Sequence, residues 1–449
     1  MDSENKHGAG SLQVTENSVI ADASDLFSPI LLESSLVDGS TTMYRPLNLS
    51  NEGPIEFNIK PMGMKYIHPS ATRLFAQLKI TNADGGDIAA DATAAFANLP
   101  LSSIFKQIEI DVGGFSAPEL GNNFSHYKAY FETVLTYSQS ARDSHLRASI
   151  LKMDVAQRFE DYTVNGGGHN TGYQQRRLLT AQSISMQICT PVHCDFLQLN
   201  KYIPPGVEIT IRFHRSPDAF AIVAHNNNNQ FKVVIEDIKL YVRHVTLSDD
   251  IVKQHIKLFE KGPAIFSLNK TILKTIAHPA GLTHVTVPNL FTGLLPKSII
   301  IALVSAASFN GTYATNPYYF RHYSCNYSVL NVNGDNIPSD PYRPNFAQTL
   351  FAREYRDFFD NVGISHDDLG NVMTPELYAG GMFMIAFDLS PDRCNGYHAH
   401  KQKTGVINLE LGFPAAIDHP WNVLAFATYD SSFLLDGNNR VMIEGMSST

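Results

Sequence analysis

The chain has 449 residues, with 34 Lys+Arg against 43 Asp+Glu, a formal net charge of -9 and only 17% charged residues, where an average soluble domain has roughly a quarter. Hydrophobic residues at 44% and aromatics at 10% exclude a disordered chain, which would be richer in charge, and the acidic balance excludes nucleic-acid binding through net charge. At about 100–200 residues per domain the length predicts two or more domains, and the sparse charge points to surface buried against partner subunits.

Residues 1–50 carry seven acidic and two basic residues and no sustained period. They read as a polar N-terminal arm. From Ile55 the texture changes to alternation of apolar and polar residues, as in Ile55-Glu56-Phe57-Asn58-Ile59, Leu74 to Ile80 and Ile108 to Val112. Val207 to Phe213 and Val233 to Val242 continue it. Such alternation marks strands with one face on a core and one face in water. The segment Asn123 to Leu146 breaks the pattern. It lacks Pro and Gly, and Tyr127, Tyr130, Phe131, Val134 and Leu135 recur at helical spacing. It predicts a helix running into a short turn, inserted between two strands.

The second half repeats the first in outline. Ile108 to Gly114 resembles Val329 to Gly334, a strand entering a Gly turn, and each is followed by a helical stretch. The second stretch is Phe346 to Val362, with Phe351, Tyr355, Phe358 and Phe359 on its apolar side. Gly206 to Ile211 resembles Gly405 to Leu411, and each half closes on a long strand, Phe231 to Val245 and Trp421 to Asp430. Between them, residues 248–262 read as a helical linker with Ser248 at its N-cap and Gly262 at its stop. The expected organisation is an arm over 1–50, a first domain over 51–247, the linker, and a second domain over 263–449. Many short strands with isolated helices fit an all-β fold of two tandem jelly rolls, each an eight-stranded antiparallel sandwich with short helical excursions. A parallel α/β fold would place a helix after nearly every strand.

Motifs for chemistry are weak. Cys189, Cys194, Cys325 and Cys394 are too few for a disulfide scaffold and read as isolated thiols. The opening MDSENKHGAG lacks the regions of a secretory signal. The longest apolar block, Ser298 to Phe309, is shorter than the ~18 residues of a membrane span. Gly166-Gly167-Gly168 and Arg176-Arg177 could offer amides and charge to a phosphate, but no strand leads in and no helix is expected after, so a surface loop is the simpler reading. His398 and His400 would share one face of a strand, and Cys394 lies nearby, a weak metal-site candidate. Lys401-Gln402-Lys403 opposes a cation there. Tyr318 to Tyr323 interleaves aromatic and basic residues, a pattern that can stack on bases but equally suits a buried contact. No catalytic constellation assembles, and no enzyme activity or cofactor is expected.

The segment Tyr127 to Ser138 resembles the helix signature of double jelly-roll major capsid proteins, in particular those of Polinton (Maverick) elements and adintoviruses, with virophage capsids as cousins. Tyr202 to Ile209, then Arg215-Ser216 and Phe220, resembles a second passage of that family. Leu295 to Val304 with Phe309-Asn310-Gly311, then Asn316 to Phe320, Val332-Asn333-Gly334 and Ile337-Pro338, resembles the opening of its second jelly roll. The resemblance runs from about residue 50 to the C-terminus. It implies a hexon-like structural protein of the virion. Two barrels per chain and three chains per capsomer would give a pseudo-hexagonal homotrimer that tiles an icosahedral shell. The partners implied are the chain itself, penton proteins and minor capsid proteins, with the arm reaching under neighbours and the genome left to another protein. The helix residues named above would pack onto the barrels or a neighbouring subunit. The competing reading is a carbohydrate-binding or cupin-like β-sandwich protein, which the single Trp421 and the poor histidine motif disfavour.

Overall fold

The computed structural model describes residues 33–49, 53–117, 120–164, 170–225, 227, 230–365, 370–391, 393 and 400–444. The first half is built from β1 (Leu36–Tyr44), β2 (Ile55–Ile59), β3 (Tyr66–Asn82) and β4 (Phe105–Val112), then β5 (Phe115–Ser116), β6 (Met186–Pro191), β7 (Ile209–Arg215) and β8 (Phe231–Leu247). These pair into two antiparallel sheets of order β1-β8-β3-β6 and β2-β7-β4-β5. The second half supplies β9 (Ala264–His278), β10 (His284–Leu294), β11 (Ser298–Ser305) and β12 (Tyr327–Val332), then β13 (Asp335–Tyr342), β14 (Met384–Asp388), β15 (Thr404–Gly412) and β16 (Trp421–Leu435). Their sheets run β9-β16-β11-β14 and β10-β15-β12-β13. Adding eight to every label of the first half reproduces the second. The eight main strands of each half form a jelly roll, with short extra strands at Ala95–Phe96, Asn122–Asn123 and Ile222–Val223 in the first half and Val441–Glu444 in the second, and the shared order of the main strands bears out the repeat read from the sequence.

The strands form where the sequence alternates. β2 buries Ile55, Phe57 and Ile59 and leaves Glu56 and Asn58 half-exposed, so one face packs and the other is wet. β11 departs from this: Ile299 to Ser305 are all buried, because elements of the chain cover both faces of its sheet. The apolar block Ser298 to Phe309 is therefore a central strand with a short helix after it. Two hairpins confirm the repeat at atomic level. Gly113 and Gly114 join β4 to β5 with φ of 61° and 79°, and Asn333 and Gly334 join β12 to β13 with φ of 55° and 99°. Two consecutive left-handed residues make the turn that matches strand twist, and Gly and Asn are the residues that adopt it cheaply.

The longer helices among the described residues are α1 (Ser125–Thr136), α2 (Thr171–Thr180), α3 (Asp249–Phe259) and α4 (Ala352–Val362). α1 and α4 occupy the same connection in the two rolls, before β6 and β14. α3 joins the rolls; Ser248 holds its N-cap position without a side-chain bond, and Asp249 and Asp250 supply charge to its first turn. Two expectations need correction. Residues 36–44 are not part of a loose arm: they form β1, paired with β8 from Leu36↔Leu247 to Tyr44↔Leu240. A helix does follow the Gly166-Gly167-Gly168 segment, whose glycines lie outside the described residues: α2 starts at the next turn, capped by the Asn170 side chain accepting from the Tyr173 N–H. Among the described residues, no helix is long and apolar enough to cross a membrane.

Candidate functional site

The most elaborated region of the molecule is the seam where the two rolls meet. α1 lies in it. Ten of its twelve residues are buried, including Tyr127, Tyr130, Phe131, Val134 and Leu135. A helix buried nearly all round must be covered on more than one side. Towards its own roll, the Ser125 hydroxyl donates to the Phe105 carbonyl at 2.8 Å. Towards the other roll, Tyr130 stacks on Tyr318 with ring centroids 4.2 Å apart and planes 3° apart. Tyr127 stacks on Phe309 at 6.1 Å, and Phe131 meets Phe320 at 5.3 Å and Phe426 at 5.4 Å. Offset and edge contacts of this kind add about 0.5–1.5 kcal/mol each beyond area burial. Tyr318 to Arg321 is thus spent on the seam: Tyr318 and Phe320 are fully buried, Tyr319 stacks on Phe159 and Arg321 pairs with Glu160, both of the first roll, while His322 and Tyr323 pack within the second roll.

Two buried carboxylates bind the same seam. Asp195, with a fully buried side chain, faces Lys128 of α1 at 2.9 Å and Lys270 of β9 at 3.6 Å. It also accepts from the Asn122 side chain at 2.9 Å, the Thr271 N–H at 2.9 Å and the Thr271 hydroxyl at 2.8 Å. Asp154 accepts from Arg176 of α2 at 2.8 Å, Asn170 at 2.9 Å, Asn98 at 3.1 Å and, across the seam, Asn316 at 3.0 Å. Burial works against the charge on Lys128, but Glu132 and Asp195 outweigh it and hold its pKa above the ordinary lysine value. Burial likewise raises Glu132, yet Lys128 and His193 bring it down to about 2. Each carboxylate is saturated with donors, which is the condition under which a buried charge is tolerated. Such networks demand one geometry, so they fix how one roll sits against the other.

The second predicted helix face is also structural. Phe358 and Phe351 are buried, and Tyr355 and Phe359 are half-buried. Tyr355 donates to the Met373 carbonyl at 3.0 Å, and Asn361 ties α4 to β14 through the Ala386 carbonyl at 2.8 Å. Phe351, Tyr355 and Phe358 surround Tyr378 within the second roll; α4 stays within its own roll, whereas α1 bridges both.

Sequence reasoning missed the polar half of the seam. Lys128 carried a signal: it shares a helix face with Phe131 and Leu135 at i+3 and i+7. Asp154, Arg176 and Asn316 carried none, being isolated polar residues in separate loops and helices. Arg176 is fully buried, and its guanidinium also donates to the carbonyls of Phe96 at 2.9 Å and of Lys152; this engagement removes it from any phosphate site. His398 and Cys394 lie outside the described residues. His400 precedes β15 rather than lying on a strand, and its N–H donates to Asp430 at 3.4 Å. Among the described residues, no group of three His, Cys, Asp or Glu is placed to hold a metal ion. Trp421 is buried at the start of β16 against Phe413 and Tyr323, so it is not a platform for a sugar. Cys194 and Cys325 are buried thiols pushed up by burial to about 12, and Cys189 is half-buried and free.

No family model matches the sequence. The chain is similar to the uncharacterized protein F54H12.2 of Caenorhabditis elegans, 22% identical over 360 residues, covering 77% of this chain and 83% of that protein. Among solved structures it is similar to a chain of the cryo-EM structure of the Sputnik virophage, 12% identical, with TM-score 0.65 over 98% of this chain and 95% of that one. The Faustovirus major capsid protein matches at 10% identity and TM-score 0.55 over 93% of each chain. The mavirus major capsid protein matches at 12% and 0.51 over 99% and 97%. At such identities the likeness establishes the fold: the chain has the double jelly-roll fold found in these viral major capsid proteins, over nearly its whole length.

Proposed function

We propose that this chain is a major capsid protein, working in the virion as the repeating unit of the shell. Three copies form a trimeric capsomer of pseudo-hexagonal outline, because each chain contributes two barrels of one topology. Such capsomers tile icosahedral facets. The observation that carries the reading is the welded pair of rolls: a duplicated β-sandwich locked by an aromatic helix and two buried carboxylates. A shell tile has to hold its two barrels in one relative position, and this seam has the means to do so. The role is physical, not catalytic. The order of the quoted sequence segments favours the Polinton, adintovirus and virophage group within the capsid proteins. Penton and minor capsid proteins would complete the shell, and the net charge of -9 leaves contact with the genome to another protein.

Negative-stain microscopy and mass measurement of the purified chain test this. Flat trimers with a six-cornered outline are expected. Monomers at every concentration up to the solubility limit would defeat the proposal.

A further inference from the structure

The contact between the two rolls is head-to-tail. The first roll contributes its α1 side, and the second contributes the outward face of its sheet β9-β16-β11-β14. On that sheet Trp421, Tyr429 and Phe387 point into the roll's own interior, where they meet Phe413, Phe291 and Tyr342. The alternating positions Leu424 and Phe426, in register with Ala302 and Ile300 of β11, therefore point outward. All four are buried, and Phe131 of α1 lies on Phe426 at 5.4 Å.

The same face of the first roll has no such cover. By the shared topology, β8 and β3 correspond to β16 and β11. Their inward residues, such as Ile238, Leu240, Ala76 and Leu78, are buried. The outward residues Phe75, Lys239 and Tyr241 are only half-buried, and Arg73 is exposed. Met43 of β1, paired with Tyr241, is 42% exposed. Tyr241 meets Phe75 edge-on at 6.4 Å, and Lys239 lies over the Phe75 ring at 5.5 Å. The opposite side of the second roll is open as well. α4 lies in the connection that corresponds to that of α1, yet Phe358 is its one buried residue, against ten of twelve in α1. Tyr355 and Phe359 stay half-exposed, and Leu350, in the turn that leads into α4, is 61% exposed. A helix normally covers its apolar stripe, and large apolar side chains left open together mark a binding surface.

A head-to-tail contact leaves half of itself unused at each end of the pair. Here those halves are the sheet face of the first roll and the α4 side of the second. Repeated about an axis, such a contact closes into a ring. We propose that α4 and the turn before it, from a second copy of the chain, cover the outward face of the β1-β8-β3-β6 sheet, with Leu350 over Phe75, Tyr241 and Met43. The contact made within each chain is thereby repeated between chains, and three chains close a ring of six rolls. The inference rests on the trimeric reading above and names the two faces that make the trimer.

The test uses the full chain, assembled, with a photo-crosslinking benzoyl-phenylalanine in place of Leu350. After irradiation, crosslinks between chains run as dimers and trimers on a denaturing gel, and mass spectrometry locates them. Crosslinks from position 350 to Leu36–Tyr44, Tyr66–Asn82 or Phe231–Leu247 of another chain are expected. Trimers whose crosslinks between chains fall elsewhere, or that give none between chains, overturn this inference and leave the capsid reading standing. Monomers at every concentration overturn both. Sedimentation gives a second arm. Met43→Asp and Leu350→Asp, both at exposed positions, should each raise the dissociation constant of the trimer at least ~10-fold; unchanged constants would also overturn the inference.

Discussion

Single residues at the seam act through burial. Asp154 is surrounded by Arg176, Asn170, Asn98 and Asn316, so Asp154→Asn leaves a fully buried guanidinium without its counter-charge. Breaking a buried pair from one side costs about 3–5 kcal/mol, and urea unfolding should show a loss of that order. His126 is a second case. It is buried against Phe220, with ring centroids 4.2 Å apart, and Tyr127 at 4.7 Å. Burial, with Lys106 adding, lowers its pKa to about 3. The folded chain therefore refuses a proton that the unfolded chain takes up once pH falls below 6.5, so stability declines between pH 6.5 and about 3. His126→Phe should flatten the stability–pH slope in that window by up to one proton. An unchanged slope would assign the acid sensitivity elsewhere. Glu132, depressed to about 2, acts in the same direction lower down: its contribution is complete above pH 4.5 and is lost as pH falls through 2.

Among the elements, the hairpins and helices differ in how far their sequences disclosed them. Gly113-Gly114 and Asn333-Gly334 were legible because the turn itself demands left-handed residues. The structure adds a second demand at Gly113, where a Cβ would lie 2.3 Å from the Asn439 carbonyl oxygen of the second roll. At Gly114 nothing lies within 4 Å. Both substitutions to Ala incur left-handed strain of about 1–2 kcal/mol, but Gly113→Ala must also push the rolls apart. Calorimetry should show a clearly larger drop in Tm for Gly113→Ala than for Gly114→Ala; equal drops would mean that Asn439 yields freely. α1 was legible from its aromatic spacing, although its predicted range to Leu146 breaks at Tyr137, beyond which a short helix and a 3-10 turn follow. α2 was not legible. Its buried face is Gly172, Tyr173, Arg176 and Thr180, spaced correctly for a helix but made of residues that read as a polar loop. Only the partner Asp154, distant in sequence from most of its donors, makes that face a buried one.

At the scale of the whole molecule, each of the two large apolar cores draws residues from both rolls. α1 of the first half and the strands β11, β14 and β16 of the second belong to a single cluster of buried residues. Phe266, Leu268, Phe433 and Leu435 of the second half join the core of the first. Two domains connected in this way should unfold together, so calorimetry is expected to give a single transition. Two resolved transitions, or a soluble and folded fragment of residues 263–449, would show the seam to be weaker than its packing implies. The sequence by itself determined the class of the fold, the duplication and the apolar face of α1, because alternation, helical spacing and turn residues are local and each roll repeats them. It also limited the charge available for a nucleic-acid partner. The tertiary structure decided what those features meet. It made α1 a bridge between rolls and turned Lys128, Asp195, Asp154 and Arg176 from ordinary polar residues into buried partners. It also paired the start of β1 with the end of β8, just ahead of α3. Those outcomes bring together residues from 22 positions apart, as for Asp154 and Arg176, to 295 apart, as for Phe131 and Phe426, and no local pattern encodes which distant donor will satisfy a buried charge.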